Sequence, residues 1–327
     1  MELGESLLLL ALNRRAGRFE EILWLRAAAR SGALETLQHG EQTPAELARA
    51  LGGPADLAEA FLAAGAACGW LRSTAGRYRL TRRAARLVSH AALRAFVLYE
   101  AEVRERGLRL LANALRGVER PGLDPEAHTL IAEVSSLARP YALKALLRVP
   151  GLDRHGARIL DVGCGTGEYL SALCGRLPRA QGLGVDVDPA VVSLALEKMQ
   201  RQGFAGRVQI RVGDIRADPL DPPYTLILAN HILHYLPEEG RGRLITRLAS
   251  LLEPGGHLAV QQIVRGTGRP GRSLAFFDLF LSVHSGMSRL PAAREVRSLL
   301  RSAGLDPWPP RRIVRPGTLY YFIARKP

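Results

Sequence analysis

Cysteine is scarce in this chain, with only Cys68, Cys164 and Cys174 among 327 residues. An odd number without metal-ligand spacing excludes a disulfide scaffold and a cysteine-held zinc, and it fits a reducing cytosol. Long apolar runs are missing too, and none approaches the ~18 residues of a membrane-spanning helix. The apolar stretch Leu7–Leu12 has acidic residues before it and Arg14-Arg15 after it, the reverse of a secretory leader. Internal repeats and low-complexity tracts are absent. The expectation is a soluble, cytoplasmic protein without a membrane partner.

Acidic residues are in deficit: 31 Asp and Glu face 45 Lys and Arg, a formal net charge of +14. The excess is almost all arginine, spread through both halves and interleaved with alanine and leucine, with no basic tail. That pattern reads as a solvated arginine surface. It favours small anionic partners, such as a carboxylate or a phosphate, over a nucleic acid. The length suits two domains of roughly 100–200 residues each, and 47% apolar residues supply an ample core.

The most informative stretch is Arg158-Ile-Leu-Asp161-Val-Gly163-Cys-Gly165-Thr-Gly167. A short apolar run ends in an acidic residue and passes into three alternating glycines. A buried parallel strand delivers its backbone to a nucleotide-like ligand in this way, because glycine removes the Cβ at the contact and permits φ > 0 turns. A second apolar run ends at Asp186, where a carboxylate can accept from both hydroxyls of a ribose. A third, Val208–Val212, leads into Gly213-Asp214-Ile215, where an acid suits an exocyclic amine and an isoleucine suits the face of an adenine. The nicotinamide fingerprint G-x-G-x-x-G does not match this G-x-G-x-G spacing.

These motifs resemble those of the class I S-adenosylmethionine (SAM)-dependent methyltransferases, over residues 150–327. The resemblance implies an α/β, Rossmann-like, seven-stranded doubly wound sheet with SAM as cofactor. It implies a cofactor set of Asp161, Gly163, Gly165, Gly167, Asp186, Asp214, Ile215 and Asn230. Asp221-Pro-Pro-Tyr224 spells the tetrapeptide of base-methylating enzymes, but it precedes its strand, whereas that chemistry needs it after the strand.

Residues 1–120 read as helix, helix, helix, hairpin, the winged-helix order. Thr43-Pro44-Ala-Glu46 starts one helix with a capping residue and an early acid, and Ser73–Gly76 turns a hairpin. The third helix carries Asp56 and Glu59 and no base-reading cluster, which disfavours DNA. The segment is similar to the N-terminal dimerisation domain of small-molecule O-methyltransferases, which implies a homodimer. Residues 121–150 read as a helical bridge, and the resemblance implies that it lids the cavity and offers Arg139 and Tyr141 to a substrate, with 151–327 as the catalytic domain.

Three histidines are candidates for chemistry: His231, His234 and His284. His234, in Leu233-His-Tyr-Leu236, resembles the general-base histidine of plant-type O-methyltransferases, with their Asp-Trp replaced by Tyr-Leu. His284 follows the fifth strand. Paired with His234, it resembles the metal-holding histidines of enzymes that methylate the β-carbon of α-keto acids. The favoured expectation is that second chemistry, with iron or another transition metal on His234 and His284 and the substrate carboxylate on Arg139. The alternative is metal-free O-methylation of a phenol or hydroxyl with His234 as base. A SAM-binding transcription regulator is a third reading, which a gel shift would test. His39, His90, His128 and His155 read as surface or packing residues, and His257 as structural.

Overall fold

Local signals set the first elements. A computed structural model describes residues 3–153, 156–266, 271–313 and 318–327. By contacts the chain divides at Arg106/Gly107 into two units, fourteen residues before the boundary expected at 120.

In the first unit come α1 (Leu3–Arg30), α2 (Ala33–Gln38), α3 (Pro44–Leu51) and α4 (Ala55–Ala67). The hairpin β1 (Leu71–Thr74) and β2 (Arg77–Leu80) precedes α5 (Arg82–Ser89) and α6 (Ala91–Leu98). Thr43 and Glu46 close a reciprocal capping box at the start of α3. Gly32, at φ 79°, turns α1 into α2, a helix the sequence reading did not anticipate. Leu37, Leu47, Leu62 and Leu71 form one core cluster, against which Trp24 and Phe61 stack at 4.9 Å. A π-helical turn, Tyr99–Arg104, buries Glu102 between Arg26 (2.7 Å) and Arg30 (2.5 Å). The Arg30 hydrogen bond leads in lowering that carboxyl's pKa, against the opposing effect of burial.

Helix α7 (Glu105–Arg109) crosses the boundary; α8 (Leu111–Leu115), α9 (Pro125–Ser135) and α10 (Arg139–Leu146) follow. A 3-10 turn, Ser136–Ala138, separates α9 from α10, and Pro140 sits in the first turn of α10, where its missing N–H costs nothing. Then strands and helices alternate: β3 (Arg158–Val162), α11 (Glu168–Arg176), β4 (Gln181–Asp186), α12 (Pro189–Arg201), β5 (Val208–Val212), β6 (Tyr224–Asn230), α13 (Glu238–Ser250) and β7 (Leu252–Ile263). The chain closes with α14 (Arg272–Ser282), α15 (Ala293–Ser302), β8 (Asp306–Pro307), β9 (Arg311–Arg312) and β10 (Leu319–Arg325).

The sheet order is β5-β4-β3-β6-β7-β10-β8, with β9 also on β10. Strands β3 to β7 pair in parallel and β10 runs antiparallel to β7. Eight strands stand where seven were expected, because the two-residue β8 also pairs with β10. Alternate strand residues feed two cores, one shared with α10, α11 and α12, the other with α13 and α15. Both faces are covered, as an α/β doubly wound sheet requires.

Candidate active site

A cavity of about 390 Å³ opens at the carboxyl ends of β3, β4, β5 and β6, the edge where open α/β sheets bind ligands. Asp161, Gly163, Gly165, Asp186, Asp214, Ile215, Asn230 and His231 all line it. Gly167 does not; at φ 72° it turns the loop into α11. A Cβ on Gly163 would stand 2.8 Å from Ile232 Cγ2, and one on Gly165 3.3 Å from Ala132 Cβ. Helix α9 therefore lies directly across the glycine loop. Ile131, Ala132 and Ser135 of α9 form one wall, and Ser285, Gly286 and Met287 form part of another.

Asp161 is 1% exposed, and neither carboxylate oxygen has a hydrogen-bond partner. Burial, with the charge of Asp186 second, raises its pKa well above the ordinary 3.8. The amide nitrogen of Asn230 is likewise unpartnered, although its oxygen accepts from Tyr321 Oη at 3.1 Å. Buried polar groups are rarely left so. Two such groups on a cavity lining call for a ligand carrying a cation and an acceptor. Asp186 accepts from the N–H of Gly165 (2.9 Å) and of Asp188 (3.1 Å). Arg216 grips Asp214 with two nitrogens, at 2.9 and 2.7 Å, and that contact lowers the carboxyl's pKa.

The three candidate histidines are separated. His231, at φ 59°, lines the cavity, whereas His234 and His284, each 4% exposed, do not. Burial lowers His231 to about 4; burial, then the charges of His231 and Arg241, lower His234 to about 3. His284 Nδ1 donates to the Phe280 carbonyl at 2.8 Å. No cluster of three His, Cys, Asp or Glu side chains suited to a metal occurs among the described residues. The residues thus do not fit the expected metal centre on His234 and His284.

Arg139 and Tyr141 are also not among the residues that line the cavity. Arg139 is ion-paired to Glu168, which Lys198 holds as well, and Tyr141 is 58% exposed. The guanidinium expected to clamp a substrate carboxylate thus holds one of the protein's own. His128, read as a surface or packing residue, instead reaches the cavity from α9 and pairs with Asp188 at 2.8 Å. His155 lies outside the described residues.

Two adjacent glutamines of β7, both fully buried, were overlooked. The Tyr169 hydroxyl donates to Gln261 Oε1 (2.9 Å), and Gln261 Nε2 meets His231 Nε2 (2.7 Å). Gln262 Nε2 meets His234 Nδ1 at 3.1 Å and the Ile263 carbonyl at 3.1 Å. Two amides inside the apolar run Leu258–Val264 were the available signal, since buried polar side chains need a reason. Arg241, fully buried, ties this loop down: it donates to the Leu233 carbonyl (3.0 Å), Ser288 Oγ (2.6 Å) and Glu295 (2.6 Å).

A glycine loop, an acid at the end of the next strand and an unpartnered buried carboxylate, all on a doubly wound sheet, define a site for a cationic nucleoside-type cofactor. Residues 159–256 match the family described as "Methyltransferase domain". The 3-hydroxy-5-methyl-1-naphthoate 3-O-methyltransferase of Streptomyces sahachiroi is 27% identical over 307 residues, covering 90% of this chain and 88% of the relative. The fold is also that of mitomycin 7-O-methyltransferase MmcR, with a TM-score of 0.80 at 20% identity over 99% of both chains. CalO1, a methyltransferase in calicheamicin biosynthesis solved in its SAH-bound form, superposes with a TM-score of 0.71 at 25% identity over the full length of both. The chain is a class I SAM-dependent methyltransferase.

Proposed function

We propose that this enzyme methylates a hydroxyl oxygen of a small, mainly apolar acceptor. The observation that carries this reading is the length of the match to the naphthoate 3-O-methyltransferase. It spans nine-tenths of the chain, so it takes in the first unit as well as the methyltransferase domain. Lining residues such as Ile131, Ile232, Leu236 and Met287 suit an apolar ring. The α-keto acid reading has less support, because its carboxylate clamp and its metal ligands both lie off the cavity.

When bound, SAM supplies a methyl group on a good leaving group, so the protein's task is orientation. Asp161 takes the cofactor's ammonium, which explains its unpartnered oxygens, and Asn230 Nδ2 donates to the adjoining carboxylate. Asp186 holds the ribose hydroxyls, and Asp214 with Ile215 the adenine. Gly163 and Gly165 let the backbone approach. The first unit serves as a dimerisation domain in a cytoplasmic homodimer, a reading that sedimentation would check.

The test pairs calorimetry with product analysis. SAH should bind, and transfer of a 13C-labelled methyl group to a panel of hydroxyarenes should give O–CH3 signals. Labelling of α-keto acids at carbon, with hydroxyarenes untouched, would overturn the proposal.

A further inference from the structure

We propose that Gln261 and Gln262 hold His231 and His234 as neutral hydrogen-bond donors, so that this site takes a hydroxyl that ionises before methyl transfer: an acidic phenol or an enol. The inference rests on the O-methylation reading and specifies its substrate class.

The argument is strongest at His234. A peptide carbonyl can only accept, so the Gln262 amide atom 3.1 Å from the Ile263 oxygen is the nitrogen. That nitrogen also stands 3.1 Å from His234 Nδ1, which therefore accepts. In a neutral imidazole the proton then sits on Nε2. Turning the amide over would set Oε1 against the Ile263 carbonyl. In its present orientation Gln262 Oε1 is buried and unpartnered, a cost that the carbonyl imposes.

His231 is held in the same sense. Tyr169 donates to Gln261 Oε1, Gln261 Nε2 donates to the ring's Nε2, and Nδ1 carries the proton. Strand alternation puts the two glutamines on opposite faces of β7, so each reaches one ring. A histidine that accepts a proton needs an acceptor or an anion on its far nitrogen to steady the imidazolium. Here the far nitrogen faces an amide N–H in both cases. Among the described residues no carboxylate forms an ion pair with either ring, and the Arg241 charge bears on His234 unfavourably.

With neither His231 nor His234 set to take it, the acceptor's proton leaves to water before the chemical step. The phenolate oxygen then bonds to the methyl carbon as the carbon–sulfur bond breaks, releasing SAH and a neutral ether. The protein gains no proton. His231, which lines the cavity, offers its N–H to the anion. Gln261 and Gln262 act through the rings as positioning residues.

Two measurements test this. Histidine 15N spectra of the SAH complex should show Nε2–H at position 234 and Nδ1–H at 231, and Gln262→Glu should move the 234 proton to Nδ1. Across a series of ring-substituted phenols, the rate at neutral pH should follow the ionised fraction. His234→Gln and His231→Asn, which keep a donor at the same place, should lower kcat by no more than about tenfold. A lost general base would cost about 10²–10⁴. Gln262→Glu should widen the range towards weakly acidic phenols. An Nδ1–H tautomer at 234, or a loss beyond a hundredfold in His234→Gln, would overturn the inference. SAH binding with no hydroxyl methylated at any acidity would instead overturn the O-methylation reading, leaving the spectra to decide the tautomers.

Discussion

Replacing Asp161 by asparagine should move the stability of the cofactor-free protein and its affinity for SAH in opposite directions. The carboxylate is 1% exposed and neither oxygen has a partner. Leaving a buried charged group unsatisfied costs about 1–3 kcal/mol or more, and a domain of this size gains about 2–4 °C in Tm per kcal/mol. The variant without cofactor should therefore melt roughly 2–12 °C higher at pH 8. SAH loses a charge-assisted hydrogen bond worth about 1.5–3 kcal/mol, so its affinity should fall about 10–100-fold. The pH dependence fixes the cause. Because the folded pKa is raised above 3.8, the folded state binds more protons than the unfolded one between those values. Wild-type stability from this group is thus lost as pH rises through that window, and the variant lacks the slope. Differential scanning fluorimetry against pH, with calorimetric SAH titrations, measures both quantities. A variant that melts lower and binds SAH as tightly as the wild type would refute the reasoning.

Arg241→Met should destabilise the enzyme by about 3–5 kcal/mol, because it strands the groups around a fully buried guanidinium; chemical denaturation at equilibrium checks this. Gly163→Ala should weaken SAH binding and lower Tm, because the site needs φ +65° and the new Cβ would meet Ile232 Cγ2 at 2.8 Å. Fluorimetry with and without SAH separates the two effects. His234 is depressed to about 3, below its ordinary 6.5, so the folded state binds fewer protons between those values. Its stability term is fully present above 6.5 and declines as pH falls, by about 1.4 kcal/mol per unit. The stability difference between wild type and His234→Gln should therefore shrink with acidification, as paired denaturation curves at pH 7 and pH 5 would show.

Much of the fold was legible because its signals are local. The runs ending at Asp161, Asp186 and Val212 form consecutive parallel strands, and Thr43 with Glu46 caps its helix. What failed was decided at long range. Strand β8 is too short for periodicity to register, and it exists only because β10 offers an edge. Arg139 pointed to a substrate by residue type, yet Glu168 on the next helix captures it. His128 had no local signature; only the packing of α9 over the glycine loop brings it to the cavity. At Gln261 and Gln262 the residue type was informative, while the partners lay thirty and twenty-eight residues upstream.

The neighbouring glutamines of β7 have a consequence for how such an enzyme diversifies. In the genetic code a glutamine codon becomes a glutamate codon by one first-position change. A single point mutation at either residue would give the matching imidazole a carboxylate in place of an amide, with hardly any change of shape. Descendants could thus exchange acceptors without rebuilding the pocket.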